Sequence, residues 1–403
     1  MQRNPAGFIH VSTRIVILTL AACAPDSVPT PANDDTQALI SRIENGLVPI
    51  DAAGVDSGPP QSLGSRMADL HVPGLSIAVF DSGRIVWTRS YGVTDVTTAE
   101  EVDSTTLFQA ASISKPVTSV GMFRLVEQGL LSLDEDVNER LESWAVAENG
   151  FTQVEKVTPR RIVTHMAGLN VGGFAGYARG EPVPSVHQIL RGEAPANSPP
   201  VRVDTFPGAR ESYSGGGFVV LQLLMEEVTG QSFPSLMADL VLEPANMTHS
   251  TFSQPLPDEL MDRAATGHDS KGVPVPGGHH VHPELAPAGM WSTPSDIARF
   301  MLAVGRSYRG ESGGLLEPTS ARTMLTQVPG GSGQGFGLSG EGDAFRYRHS
   351  GGNLGFTGYA VAFAGSGRGM VVMTNSDAGS RLIRELTRAV SREYGWPRMW
   401  VLE

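Results

Sequence analysis

Ser112-Ile113-Ser114-Lys115-Pro116, followed by Val117, Val120, Phe123, Val126 and Leu130 at steps of three and four, sets a hydroxyl and an amine three residues apart at the mouth of a helix. Positions i and i+3 share a helical face. Proline suits the first turn, where its missing N–H has no partner to lose, and Gly129 is a stop signal. The serine therefore stands near the positive end of a buried helix. Its hydroxyl is a poor nucleophile until a neighbour takes the proton, and a lysine stripped of water can do so, because burial disfavours the charged amine. Alone, the four residues equally describe a serine cap and a solvated lysine.

Two further segments separate those readings. Tyr213-Ser214-Gly215-Gly216-Gly217 precedes an apolar helix (Phe218, Leu221, Leu224, Met225, Val228), and His349-Ser350-Gly351-Gly352 lies between strand-like runs near the C-terminus. Ser-x-x-Lys, then Tyr-Ser-x, then a basic residue before x-Gly is the motif order of serine β-lactamases and penicillin-binding proteins. From about Asn33 onward the chain resembles the class C β-lactamase-like serine hydrolases, which include β-lactamases, D-amino-acid peptidases and family VIII carboxylesterases. Leu75–Phe80, Phe108–Ser112, Thr164–Leu169 and Ala288–Pro294 carry the same resemblance.

The resemblance implies an α+β fold, with an antiparallel sheet and flanking helices built from both chain ends and an inserted all-helical subdomain. The pattern agrees. Asn33 to Leu47 reads as a capped amphipathic helix, and Leu75–Phe80 and Arg84–Tyr91 read as strands around the hairpin signal Asp81-Ser82-Gly83. Residues 131–288 alternate helical patches with Pro- and Gly-rich connections. Ile297 to Val304 is helical, Phe345–His349, Gly358–Ala364 and Gly369–Thr374 read as strands, and a helix from about Ser380 to Tyr394 closes the chain. Residues 33–130 and 289–403 then form the α/β part, and 131–288 the helical part.

The resemblance also assigns roles. Ser112 is the nucleophile that forms an acyl-enzyme, Lys115 its base, and Tyr213 a proton relay across the cleft. Ionising a free tyrosine at pH 7 costs about 4 kcal/mol, and the three groups are expected to share protons as a coupled set. The backbone N–H groups of Ser112 and Gly352 are the expected oxyanion donors, with Gly215 and Gly351 bordering the substrate. Two positions depart from the β-lactamase pattern. Gly215 replaces an asparagine that helps hold the substrate amide and the lysine, and His349 replaces a lysine. An unperturbed histidine is about one-quarter charged at pH 7. A charge-assisted bond to a substrate carboxylate contributes roughly 1.5–3 kcal/mol, so its loss disfavours carboxylate-bearing β-lactams by about tenfold or more. Acyl transfer itself is untouched. The leading expectation is a carboxylesterase on short neutral esters. A D-amino-acid peptidase, amidase or β-lactamase is the alternative, and a catalytically silent envelope scaffold is a third.

Composition bounds the rest. The formal charge is −12 and no basic stripe appears, which argues against nucleic acid as a partner. No run of eighteen apolar residues could form a spanning helix. The one cysteine excludes an internal disulfide. It ends Ile15–Cys23, a short apolar segment after Arg3 and Arg14 that reads as an export signal. Leu20-Ala21-Ala22-Cys23 resembles the bacterial lipobox. That implies a signal peptide over residues 1–22, a lipidated Cys23, a tether over residues 23–32 and membrane attachment on the periplasmic side of the envelope. No cofactor, metal or obligate protein partner is indicated. Gly310-Glu311-Ser312-Gly313-Gly314 matches Gly-x-Ser-x-Gly but follows a helix instead of a strand. His268, His279, His280 and His282 fit no zinc spacing. His165 reads as a structural residue at a helix end, and Phe174, Tyr177, Trp291 and Phe356 as an apolar wall or core.

Overall fold

Asp81, Ser82 and Gly83 turn the chain back between β1 (Gly74–Asp81) and β2 (Arg84–Gly92) in a computed structural model that describes residues 1–2 and 34–397. The expected leader from residue 3 on, Cys23 and the tether lie outside those residues. Ser82 and Gly83 have φ of 51° and 77°, the left-handed pair whose twist matches that of antiparallel strands. The other end of the chain supplies β3 (Gly337–Ser339), β4 (Arg346–Asn353), β5 (Phe356–Phe363) and β6 (Arg368–Thr374). The sheet order is β2-β1-β6-β5-β4-β3 with every pairing antiparallel. β1 lies against β6, Leu75 opposite Thr374 and Phe80 opposite Gly369, so the two ends of the chain close one sheet. Edge strand β3 was not expected; three residues with Gly and Ser among them carry no strand signal.

The sheet divides two cores. Leu75, Ile77 and Val79 of β1, Val361 and Phe363 of β5, and Met370 and Val372 of β6 face the outer helices Asp34–Glu44 and Gly379–Glu393. The alternate residues Ala78, Phe80, Ala360, Ala362, Val371 and Met373 face the interior of the molecule, the period of two that a pleated strand imposes. β1 is buried from Gly74 through Phe80, Ser76 included, because both its faces are covered. On the last helix Leu382, Ile383, Leu386, Ala389 and Val390 are buried in the outer core, one helical stripe. Each such aliphatic side chain contributes about 1.5–3 kcal/mol by leaving water.

Between the two contributions to the sheet lie mainly helices, among them Pro159–Val163, Val186–Arg191, Gly215–Thr229 and Phe233–Met237. The region is not wholly helical: Tyr177–Ala178 pairs with His280–Val281. A two-residue pairing needs only backbone groups and leaves no periodic trace. The helix after Ser112 is buried, as expected, and on more than the one face its periodic apolar residues mark. Over Ser114–Glu127 it is buried on all sides, from Ser114 through Phe123 and at Leu125. Its hydroxyls are accommodated by hydrogen bonds: Ser119 Oγ donates to Lys115 O at 2.9 Å and Thr118 Oγ1 to Ala286 O at 3.0 Å.

Candidate active site

Ser112 lies in a tight turn, Ala111–Ile113, that runs directly into the Ser114–Glu127 helix. Ala111 before it has φ of 49°, a left-handed conformation that costs a non-glycine residue about 1–3 kcal/mol and persists only where its surroundings enforce it. The helix carries Lys115 on the same side as Ser112. Lys115 Nζ is 3.0 Å from Ser112 Oγ and donates to Pro287 O at 2.9 Å. It also lies 4.8 Å from the centre of the Tyr213 ring and 5.7 Å from that of Phe218.

Lys115 is 2% exposed, and among the described residues no carboxylate pairs with it. Burial alone pulls its amine down to about 7. At its ordinary value about one lysine in three thousand would be neutral at pH 7, whereas a lowered amine holds a far larger share of free base, with a lone pair beside Ser112 Oγ.

Tyr213 reaches the same point from the helical side. Ser214 caps the Gly215–Thr229 helix, its Oγ accepting Gly217 N–H at 2.9 Å and donating to Asn170 O at 2.7 Å. Tyr213, just before that cap, brings its hydroxyl into hydrogen-bonding reach of Ser112. Burial of the phenol raises its pKa above the ordinary range, and the bond with Ser112 offsets part of the rise. The shared-proton set therefore resolves into a lysine that titrates near neutrality and a tyrosine that keeps its proton. Gly215 borders the site but gives it no donor, because its N–H is spent on Gly172 O at 3.2 Å. A side chain there would meet the Phe174 ring, 2.9 Å from a Cβ. The Phe174 ring thus fills the space a side chain at position 215 would take.

The third segment lies on β4. Strand β3 pairs only with Arg346–Arg348, so from His349 onward that edge of β4 has no strand partner and faces the Ser112 turn. Gly351 makes the approach feasible: a Cβ would stand 2.3 Å from Ala110 O and 3.2 Å from Ser112 N. Gly352 borders open space. His349 donates from Nδ1 to Ser350 O at 2.6 Å, since a carbonyl can only accept. Burial, then the charge on Lys115, hold its imidazole down to about 3. The neutral ring has no charge to offer a substrate carboxylate.

Residues 285–290 are the part of the site that sequence reasoning missed. Pro287 O takes Lys115, Ala286 O takes Thr118, and Met290 N–H donates to Ser114 Oγ at 3.1 Å. Gln222 Oε1 accepts Ala286 N–H at 3.2 Å and Asn353 Nδ2 donates to Ala288 O at 3.2 Å. One short segment thus ties the nucleophile helix to the helical region and to β4. Most of these partners are backbone groups, which no residue type signals. Of the residues set aside, Ser312 lies in the loop after the Pro294–Arg309 helix. His268 and His280 each donate Nδ1 to a carbonyl, and His279 packs edge-on against Trp291. Among the described residues no three His, Cys, Asp or Glu side chains gather as metal ligands.

The Beta-lactamase family model matches residues 61–392. Penicillin-binding protein 4 of Amycolatopsis lactamdurans is 27% identical over 346 residues, covering 82% of this chain and 87% of that protein. Protein flp of Staphylococcus aureus (strain N315) is 26% identical over 230 residues, 56% of this chain; the match spans only 42% of its own length. Among solved structures, an octameric penicillin-binding protein homologue from Pyrococcus abyssi superimposes with a TM-score of 0.69 at 25% identity, over 83% of this chain and 76% of that one. D-alanine carboxypeptidase AmpC from Burkholderia cenocepacia gives 0.66 at 18% identity, over 88% and 99%, a likeness of fold. The family match runs through the Ser112 turn, the Tyr213 segment and the last four strands, and the chain belongs to the Beta-lactamase family.

Proposed function

We propose that this protein hydrolyses short, neutral carboxylic esters through an acyl-enzyme on Ser112. The observation that carries the reading is Lys115, buried, without a carboxylate partner and 3.0 Å from Ser112 Oγ. Neutral Lys115 takes the hydroxyl proton as Ser112 Oγ attacks the ester carbon. The oxyanion forms toward the backbone N–H groups of Ser112 and Gly352. Tyr213 passes its proton to the departing alkoxide and is recharged from Lys115, leaving an acyl-enzyme. Water then attacks that ester with the same groups in reverse roles.

Two features support esters over carboxylate-bearing lactams: the uncharged His349 and the ring of Phe174 against Gly215. A cavity of about 890 Å³ adjoins the site at Gly351 and Gly352, without Ser112, Lys115 or Tyr213 in its lining, and Phe174, Leu354 and Phe356 give it apolar walls for an acyl or alcohol group. Arg384 lines it as well, beside Arg388, which is paired with Asp56 at 2.7 Å. Arg384 favours, as a second reading, an amidase or peptidase whose substrate ends in a carboxylate. Turnover of p-nitrophenyl acetate or butyrate, with none of a chromogenic cephalosporin or a D-alanyl-D-alanine peptide, is the expected profile, and the reverse profile overturns the ester reading. A fluorophosphonate adduct on Ser112, absent in Ser112→Ala, is expected; no adduct leaves a silent scaffold. The lipobox-like segment supports an envelope location, tested by whether the mature chain begins at an acylated Cys23.

A further inference from the structure

We propose that His165 is a positioning residue for Tyr213, holding the phenol at the nucleophile through both flanking peptides and through its ring. The inference rests on the catalytic reading of Tyr213. His165 follows the Pro159–Val163 helix in a left-handed conformation, φ 56°. Its carbonyl accepts the N–H of Ser212 at 2.8 Å, and its ring Nδ1 accepts the N–H of Ser214 at 3.2 Å. One residue therefore grips the chain on each side of Tyr213. The imidazole then packs on the phenol ring, centroids 4.3 Å apart at 37°, and on Phe218 at 5.6 Å.

Tyr213 needs such support. It is 45% exposed and belongs to a stretch with no helix or strand of its own. A displacement of about 1 Å in a group that must meet a reacting atom costs on the order of a hundredfold in rate. Because Nδ1 accepts from a peptide, the ring proton sits on Nε2. Burial, with the charge on Lys115, pulls His165 down to about 3, so that acceptor persists across the working pH range. A protonated imidazole would lose the Ser214 bond and repel the Lys115 cation. The left-handed backbone, the buried ring and the acceptor atom each serve one geometry, the placement of the Tyr213 hydroxyl over Ser112.

The test is a double-mutant cycle. His165→Leu keeps bulk and removes the acceptor; His165→Asn puts an oxygen where Nδ1 stands. Each is made in the native background and in Tyr213→Phe, and ester turnover, the rate of fluorophosphonate labelling of Ser112 and the melting temperature are measured. The Leu variant is expected to lower kcat roughly ten- to hundredfold with KM within about threefold, and Asn to recover most of the loss. In Tyr213→Phe the Leu change should move the labelling rate by less than about threefold, since the hydroxyl it serves is gone. Equal factors in both backgrounds, a fully active Leu variant, or Asn no better than Leu overturns the proposal. Where Leu fails to fold, Asn against Gln, whose oxygen reaches the Nε2 position instead, carries the same cycle. Full turnover by Tyr213→Phe alone refutes the catalytic reading of Tyr213, an outcome separate from failure at His165.

Discussion

Glu385 and Lys115 are both sealed from solvent, one on each side of the sheet, and their surroundings differ in the one respect that matters for charge. Glu385 is 0% exposed and meets Arg66 twice, at 2.8 and 2.9 Å, accepts Ile50 N–H at 3.0 Å and lies 3.6 Å from Arg381. Lys115 has a carbonyl, a hydroxyl and two aromatic faces, and no anion among the described residues. In the outer core three hydrogen bonds and a second guanidinium meet the carboxylate, so its charge is matched. In the inner core the protein leaves an ion unmatched, and the group answers by giving up its proton near neutrality. Burial by itself does not make a residue reactive; burial without a counter-charge does.

Exchanging the two situations tests the contrast. Lys115→Met keeps the shape of the side chain and removes the base. Steady-state assays should show ester turnover down by at least about a thousandfold. Its stability should follow the opposite course. Lys115 binds a proton more readily in the unfolded chain, so native stability rises with pH between about 7, its folded value, and 10.5, its ordinary one. In Lys115→Met that rise should shrink, with pH 7 stability equal to or above the native protein's in denaturant titrations. Glu385→Ala takes from buried Arg66 its buried carboxylate and leaves it only the exposed Asp69, at 2.8 Å, and the same titrations should record a loss of about 3 kcal/mol. The pH dependence of turnover should be unchanged, because Glu385 does not face the site. An altered pH optimum in that variant would break the distinction between the two cores.

Smaller changes sharpen it. Tyr213→Phe should cost roughly a hundredfold in turnover, as expected for loss of a proton relay, and near-native kcat would remove Tyr213 from the reaction. His349→Lys should lower the inhibition constant of a carboxylate-bearing cephalosporin against ester turnover by about tenfold while changing KM for p-nitrophenyl butyrate by less than about twofold. Equal shifts for both substrates would mean that the charge at this position does not select between them.

Much of the architecture was legible because it rests on periodicity and turn chemistry. Asp81-Ser82-Gly83 marked its hairpin, and the runs now seen as β1, β2, β5 and β6 carried strand patterns within about two residues of their observed limits, whereas β4 continues through the glycines after His349 to Asn353, which carry no strand signal. How the hydroxyls of the Ser114–Glu127 helix are satisfied when buried was not visible, since their partners lie in residues 285–290, remote in the chain. At the site, Ser112, Lys115 and Tyr213 could be named from motif order. The proton assignment among them could not, because it follows from the absence of a carboxylate near Lys115. Nor could the commitment of Gly215 N–H to Gly172 or the grip of His165 on Tyr213, both made through backbone atoms that carry no sequence signature.

The most direct test is an NMR titration of the lysine side chains. Lys115, Lys156 and Lys271 are the chain's lysines, so protein labelled with ¹³C-lysine gives three ε-carbon signals to follow with pH. One signal, missing in Lys115→Met, should move with a midpoint near 7, in step with the acid limb of ester turnover. If no signal moves below about pH 9, the unmatched burial of Lys115 does not prepare it as the base, and the catalytic account is contradicted.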